Sequence, residues 1–387
     1  MSRIDALIAE LCPEGVEFKS IGEIAAVGTG SSDRKDAKAD GAFPFYVRSQ
    51  DVFRIDKYEF DEEAILIPGE GGIGEIFHYV SGKYALHQRA YRICFNLAEL
   101  DTKFAYYYFA VHFKRFILSK AVSATVTSIR KPMITDFCIP IPPLEVQREI
   151  VKVLDAFTEL EAELEAELEA RRRQYKYYRD ALLAFSDQDI RWASMAELGE
   201  FIRGRRFTKA DYVEDGVPCI HYGEIYTRYG TAADTAISHV RSDMAASLRY
   251  AKPGDVVVTD VGETVEDVGK AVAWVGSEDV AIHDHCYAFR HSMNPKFVSY
   301  CMQTSSFIAE KAKYVARTKV NTLLIGGFSK IRIPVPSLEE QERIVAILDK
   351  FDALVNDIAI GLPAEIAARR QQYAYYRDRL LTFKEAA

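Results

Sequence analysis

No run of eighteen apolar residues occurs in the 387-residue sequence, so nothing in it reads as a membrane-spanning helix. The opening MSRIDALIAELC is a short amphipathic segment and lacks the pattern of a secretory signal. Cysteine is sparse. Cys12, Cys94, Cys138, Cys219, Cys286 and Cys301 are scattered with no C-x-x-C pair, which fits reduced thiols in a cytoplasmic protein better than a disulfide framework. The glycine-rich run from Pro68 to Gly74 has no Lys-Ser/Thr ending and is bordered by two acids. It reads as a tight loop where backbone approaches something closely, not as a phosphate-binding loop. Asn294-Pro295-Lys296-Phe297 lacks the second proline of the amino-methyltransferase motif, and no glycine-rich cofactor loop precedes it. His283 and His285 would share one face of a strand, but no third ligand is placed by sequence. With no nuclease or helicase signature either, the expectation is a non-catalytic chain with no metal and no cofactor of its own.

A uniform positive charge is also missing. The formal net charge is −8, which would argue against a polyanionic partner if the charge were evenly spread. It is not. Glu159, Glu161, Glu163, Glu165, Glu167 and Glu169 form a stretch with no cation, while basic residues gather elsewhere. Local patches decide whether a phosphate backbone can be met.

What the chain does have is a long segment that occurs twice. IPIPPLEVQREIVKVLDAF to RRRQYKYYRDALLAF runs from Ile139 to Phe185, and IPVPSLEEQERIVAILDKF to RRQQYAYYRDRLLTF from Ile333 to Phe383. Pro140, Gln147, Ile150, Leu154 and Asp155 align with Pro334, Gln341, Ile344, Leu348 and Asp349. Tyr175, Asp180 and Phe185 align with Tyr373, Asp378 and Phe383 at an offset four residues larger. Such self-similarity sets the architecture. Between the repeats the similarity is fainter but ordered: Gly30 recurs as Gly204, Ala85-Leu86-His87 as Ala281-Ile282-His283, and Tyr91 as Tyr287. Two closely alike arms suggest two identical tasks. Two diverged domains suggest related but different ones.

The chain is therefore expected to be α+β, with two mixed α/β domains joined by two long antiparallel helical arms related by a pseudo-two-fold axis. The divisions are residues 1–143, with a short N-terminal helix, 144–185 as the central arm, 186–336, and 337–387 as the C-terminal arm. In the first domain, strands are expected at Phe43–Val47, Ala64–Pro68, Glu75–Val80 and Tyr91–Phe95, and a helix at Lys103–Leu118. Ser337 with Glu340 has capping-box spacing, and Gly361-Leu362-Pro363 should break the second arm. The first arm has no such break. Its TELEAELEAELEA centre puts Leu160, Leu164 and Leu168 on one stripe, and about 42 helical residues would span ~63 Å.

Candidate nucleic-acid contacts follow from residue chemistry. Arg203, Arg205, Arg206 and Lys209 surround Gly204 and Thr208 in a loop suited to phosphates. Basic runs recur at equivalent places, with Lys114, Arg115, Lys120, Arg130 and Lys131 around Thr127 and Ser128, and Lys311, Lys313, Arg317 and Lys319 before Asn321 and Thr322. Base-edge candidates lie on loops after strands. They are Arg48, Ser49, Gln50, His87, Gln88 and Arg89 in the first domain, and Tyr222, Glu224, Tyr226, Arg228, His283, Asp284 and His285 in the second. Each also has an ordinary reading as a solvated or core-satisfying group. A rival reading of the whole chain is a coiled-coil protein scaffold. It predicts partner binding insensitive to salt and no DNA affinity.

The arm strings and the two-fold arrangement resemble the specificity subunit of type I restriction-modification systems, and the resemblance covers essentially the whole chain. It implies two target recognition domains, each reading half of an asymmetric bipartite site in double-stranded DNA. It also implies arms that act as a ruler and dock two modification (methyltransferase) subunits, joined by restriction (endonuclease/translocase) subunits. S-adenosylmethionine, ATP and Mg would belong to those partners. By position, Arg48 to Gln50, Gly72, Gly74, His87 to Arg89, Thr127, Ser128, Arg130 and Lys131 would face one half-site. The candidates of the second domain, with Lys319, Asn321 and Thr322, would face the other. Tyr177, Tyr178 and Arg179, repeated as Tyr375, Tyr376 and Arg377, would serve docking or close the helical pair.

Overall fold

The computed structural model describes residues 3–72, 74–120, 128–186, 190–317, 320–357 and 360–386. The chain folds as two compact units, Met1–Glu163 with Ala367–Ala387, and Leu164–Ile366. Both cuts fall inside arm helices, so each unit contains one mixed domain and a piece of each arm.

In the first unit, α1 (Arg3–Leu11) precedes a six-stranded sheet of β1 (Ala25–Thr29), β2 (Phe43–Tyr46), β3 (Val52–Ile55), β4 (Phe60–Pro68), β5 (His78–Leu86) and β6 (Ala90–Phe95). Its order is β1-β6-β4-β5-β2-β3, antiparallel except for β5 beside β2, where Phe45 pairs with Ala85 and Tyr46 with Leu86. Alternation assigns the faces: Ile65 and Ile67 of β4 join the core under α2 (Thr102–Lys120), while Ala64 and Leu66 join a second cluster with Val80, Tyr84 and Leu86. The strand expected at Glu75–Val80 begins only at His78. Gly72 and Gly74 have φ of 55° and 67°, and the N–H groups of Glu75 and Ile76 turn back to the Gly72 carbonyl.

The second unit repeats this plan through β7 (Gly199–Arg203), β8 (Val217–Ile220), β9 (Val256–Thr259), β10 (Ala271–Trp274), β11 (Val280–Ile282) and β12 (Cys286–His291). Here the counterpart of β5 is interrupted by the turn between Trp274 and Val280, and the sheet divides into two of five strands. The parallel pair is retained, as Cys219 with Ala281 and Ile220 with Ile282. Helices α4 (Pro295–Cys301) and α5 (Ser305–Lys311) stand where the first unit has α2 alone.

The central arm is one helix, α3 (Leu144–Leu182), whose 39 residues span ~58 Å. The C-terminal arm is two helices, α6 (Leu338–Asn356) and α7 (Leu362–Leu380). A Cβ on Gly361 would lie 2.4 Å from the Ala353 carbonyl oxygen, so only glycine fits where the chain turns back against the end of α6. Ser337 caps α6 by accepting from the Glu340 N–H at 3.3 Å, but the box is not closed. The Glu340 carboxylate pairs with Arg343 through two bonds of 2.7 Å, a charged partner that outcompetes a backbone N–H.

The repeated arm strings have one structural role, performed twice. Gln147 accepts from the Asp101 N–H at 2.8 Å and donates to Pro142 O at 2.6 Å, and Gln341 does the same with Asn294 and Pro336 at 2.8 and 2.9 Å. Asp155 accepts from Lys103 Nζ and the Tyr107 hydroxyl at 2.7 and 2.6 Å. Asp349 accepts from Lys296 and Tyr300 at 2.8 and 2.7 Å. Farther along, Tyr376 stacks on Phe157 in the first unit and Tyr178 on Phe351 in the second, both at 26° between planes. In the first unit Phe157 meets Tyr376 and Glu161 pairs with Arg370, so the helices run antiparallel there.

Candidate nucleic-acid interface

Three backbone hydrogen bonds build the same platform in both units. The His87 N–H donates to Tyr46 O at 2.9 Å, and His283 to Ile220 O at 3.1 Å. The Gly69 N–H donates to Arg89 O at 2.8 Å, and Asp260 to His285 O at 3.1 Å. The Ile129 N–H donates to Gly69 O at 2.8 Å, and Leu323 to Asp260 O at 2.8 Å. They converge the ends of five chain segments, and that register makes His87, Gln88 and Arg89 the counterparts of His283, Asp284 and His285. The loop after the first strand lies across this turn. A Cβ on Gly30 would sit 1.8 Å from Leu86 O, and one on Gly204 2.1 Å from His283 O, so both positions require glycine for close approach.

In the first unit the platform carries a cation pair around one acid. Arg48 Nη1 and Arg89 Nη1 each donate to Glu70 Oε2 at 3.0 Å. Glu70 and Ser128 form a backbone bridge, which brings Arg130 and Lys131, both exposed, beside the cluster. Gln88 donates to Asp33 at 2.9 Å, and the Ser49 carbonyl accepts from His78 Nε2 at 3.1 Å. Gln50 is exposed in the same loop. His87 is buried and accepts the Arg89 N–H on Nδ1 at 3.0 Å. Burial, and then the nearby Arg48 charge, lower its pKa, so it serves the turn as a neutral ring. Gly72 and Gly74 do not join the cluster, since their backbone packs on Ile76 and on Lys114. Lys114 is paired with Glu75 at 2.5 Å. Thr127 lies outside the described residues.

In the second unit the equivalent turn is aromatic and is built over a buried acid. Tyr222 and His221 have ring centroids 4.4 Å apart, and Tyr222 lies 5.3 Å from both His283 and His285. Asp260, almost fully buried, is 3.0 Å from His285 Nδ1 and 3.4 Å from Arg203 Nη2, and Arg203 Nε donates to Asp284 O at 3.0 Å. His283 and His285 stand in a turn after β11 rather than on a strand. His283 is held neutral, its pKa lowered to about 4 by burial and then by His221. Its Nδ1 already accepts the His285 N–H at 3.1 Å, so the Asp284 Oδ1 atom 3.0 Å away gains no hydrogen bond from it. Arg205, Arg206 and Lys209 extend along the loop, exposed.

Several expected contacts are turned to other tasks. Glu224 closes the cap of the short helix Tyr222–Thr227, accepting from the His221 N–H at 2.9 Å, with its other oxygen bonded to Ser238. The Tyr226 hydroxyl is bonded to Thr259 at 2.6 Å and has its pKa pushed up to about 12 by burial. Arg228 is exposed beyond that helix. Asn321 and Thr322 pair as a strand with Gly262 and Val261, and Asn321 Nδ2 donates to Glu263 O at 2.8 Å. Lys311 is buried, donating Nζ to Glu266 O at 2.7 Å, with its pKa lowered to about 8 by burial, so it braces the loop after β9 from within. Lys319 lies outside the described residues. On the arms, Tyr177 and Tyr375 are 68% and 61% exposed, the most open large aromatics of the repeated strings, while Arg179 and Arg377 fold onto Asp180 and Asp378. Glu70 and Asp260 were not among the residues the sequence singled out. Their only sequence signal is an acid at the end of an apolar strand.

Among the described residues no helix is long and apolar enough to cross a membrane. The chain is 27% identical over 395 residues to a Haemophilus influenzae protein assigned as a type I restriction enzyme specificity subunit, covering 95% of this chain and 96% of that one. It is 32% identical over 262 residues to a type I restriction enzyme specificity subunit of Escherichia coli, covering 63% of each. The fold is similar to the crystal structure of a type I restriction-modification system S subunit from M. genitalium, with a TM-score of 0.56 at 17% identity, over 95% of this chain and 96% of that one. A family profile, the type I restriction modification DNA specificity domain, matches residues 13–170 and again 191–368. With both halves matched and the same platform built twice, this chain belongs to the type I restriction-modification DNA specificity family.

Proposed function

We propose that this specificity subunit reads an asymmetric bipartite DNA site, one half with each platform, and contributes no catalysis. The recognition domains would be residues 1–143 and 186–336, with arms 144–185 and 337–387 setting the gap and docking two modification subunits. Methylation, and cleavage by restriction subunits, would then reside in those cytoplasmic partners, with their S-adenosylmethionine, ATP and Mg. The observation that carries this reading is the shared backbone platform bearing different side chains. Arg48, Arg89 and Glu70 stand on one copy, and Tyr222, His285 and Asp260 on the other. A common frame with different donors and acceptors is what reading two different base sequences requires. The repeated, exposed Tyr177 and Tyr375 support equivalent docking on both arms.

The test is methylome sequencing of a modification-deficient host that expresses this chain with its cognate modification subunit. The expected result is methyladenine in two short half-sites around a constant gap. Absence of new methylation despite a soluble complex would favour the scaffold reading. A system with no nuclease partner would give the same methylome and differ only in failing to restrict unmodified DNA.

A further inference from the structure

Each platform holds a carboxylate in a place where an acid is costly. A surface that meets phosphates gains from every cation and loses from every anion. Yet Glu70 and Asp260 sit one register position apart on the two equivalent segments, and each engages two donors drawn from different parts of the chain. Glu70 takes Arg48 from the β2–β3 loop and Arg89 from the β5–β6 turn, both at 3.0 Å. Asp260 takes His285 from the β11–β12 turn at 3.0 Å and Arg203 from the end of β7 at 3.4 Å. Arg89 and His285 are counterparts, so the arrangement recurs although the side chains differ. In the first unit each guanidinium reaches Glu70 through Nη1. Arg48 and Arg89 are 43% and 59% exposed.

A free arginine at the surface samples many rotamers, and freezing it on binding carries an entropic cost. A carboxylate that already holds one nitrogen of each fork removes much of that cost and orients the two planes with respect to one another. Orientation matters for a base edge, where two donors must meet two acceptors at once. It matters little for a phosphate, which accepts from many directions.

We propose that Glu70 and Asp260 are positioning residues for half-site readout. Each presets a pair of donors, Arg48 with Arg89 and Arg203 with His285, in the geometry that meets a base edge. The inference rests on the bipartite-site reading, and it adds which residues set the stringency of each half.

The experiment uses the full chain assembled with its modification subunit and compares wild type with Glu70→Gln, Glu70→Asp, Asp260→Asn and Arg203→Gln. Methylome sequencing and competition between cognate and single-mismatch duplexes supply the readouts. Glu70→Gln is expected to reduce discrimination in the first half-site roughly tenfold, with the second half unchanged. Glu70→Asp should recover part of that loss. Asp260→Asn is expected to do the same in the second half alone. Because Asp260 is buried, Arg203→Gln, at an exposed residue, checks without removing a buried group that the donor held by Asp260 reads the second half. The salt dependence of binding should be unchanged in the Glu70 and Asp260 variants, whereas one lost phosphate contact would reduce the slope of log affinity against log salt by about 0.9, which separates the two causes. Unchanged discrimination in both halves, or equal relaxation of both halves by one substitution, overturns the inference while leaving the bipartite reading intact. A wild-type complex that methylates no bipartite site overturns both.

Discussion

Tyr300 donates its hydroxyl to Asp349 at 2.7 Å, which ties a helix of the second domain to the C-terminal arm. Tyr107 and Asp155 make the same bond in the first unit at 2.6 Å. A hydrogen bond to a charged acceptor contributes about 1.5–3 kcal/mol. Tyr300→Phe and Tyr107→Phe are each expected to lower stability by that amount, as a shift of the denaturant midpoint with unchanged slope.

The glycines under the platforms are expected to be intolerant. At Gly30 and Gly204 an added Cβ would meet a backbone carbonyl oxygen at 1.8 and 2.1 Å, and neither neighbour is a flexible side-chain end. Alanine at either position should destabilise its unit by roughly 3 kcal/mol, at the upper end of overpacking effects. Hydrogen exchange should show faster opening of the Gly204 loop in G204A and of the Gly30 loop in G30A, each confined to its own unit.

Charge on the second-unit loop should act through phosphates. Arg205, Arg206 and Lys209 are exposed beside the platform. Replacing one of them by alanine is expected to weaken binding evenly across DNA sequences. It should also reduce the slope of log affinity against log salt by about 0.9, read from fluorescence anisotropy over a salt series.

Acid should destabilise the second unit. Burial holds His283 and His291 near pKa 4, below the ordinary histidine value of about 6.5. The unfolded chain therefore binds protons that the folded chain does not. Their contribution to stability is fully present above about pH 6.5 and is lost as pH falls toward 4. The melting temperature should drop from pH 7 to pH 4.5, and His291→Phe should shrink that drop in calorimetry.

The Glu-rich centre of α3 gives a length prediction. Deleting Glu161–Leu164 shortens a continuous helix by ~6 Å, close to two base-pair rises. Methylome sequencing of the deletion variant should report a gap changed by one or two base pairs with both half-site sequences retained. An altered half-site would count against the arms as a spacer.

Much of this fold was legible before any coordinates. The duplication, the unbroken first arm, the break at Gly361 and the pairing of Gly30 with Gly204 all rest on local chemistry: helical periodicity, a helix-breaking glycine and proline, and a recurring glycine. The candidate platform was legible as loops but not as residues. Arg48 met Arg89 in one unit and Arg203 met His285 in the other, whereas Glu224 became a helix cap, Tyr226 a buried bond and Lys311 an internal brace. Composition does not distinguish these roles, because each depends on which partner the fold brings within about 3 Å. Nothing in the sequence marks Glu70 or Asp260 as a site residue, for the same reason. An isolated acid among glycines or valines carries no pattern, and only the convergence of strand ends puts two donors around it. Sequence alone determined where this chain repeats, where it is helical and which family it resembles, since those follow from neighbours along the chain. Tertiary structure decided which polar groups are spent on the fold and which are left facing outward, since that follows from neighbours in space.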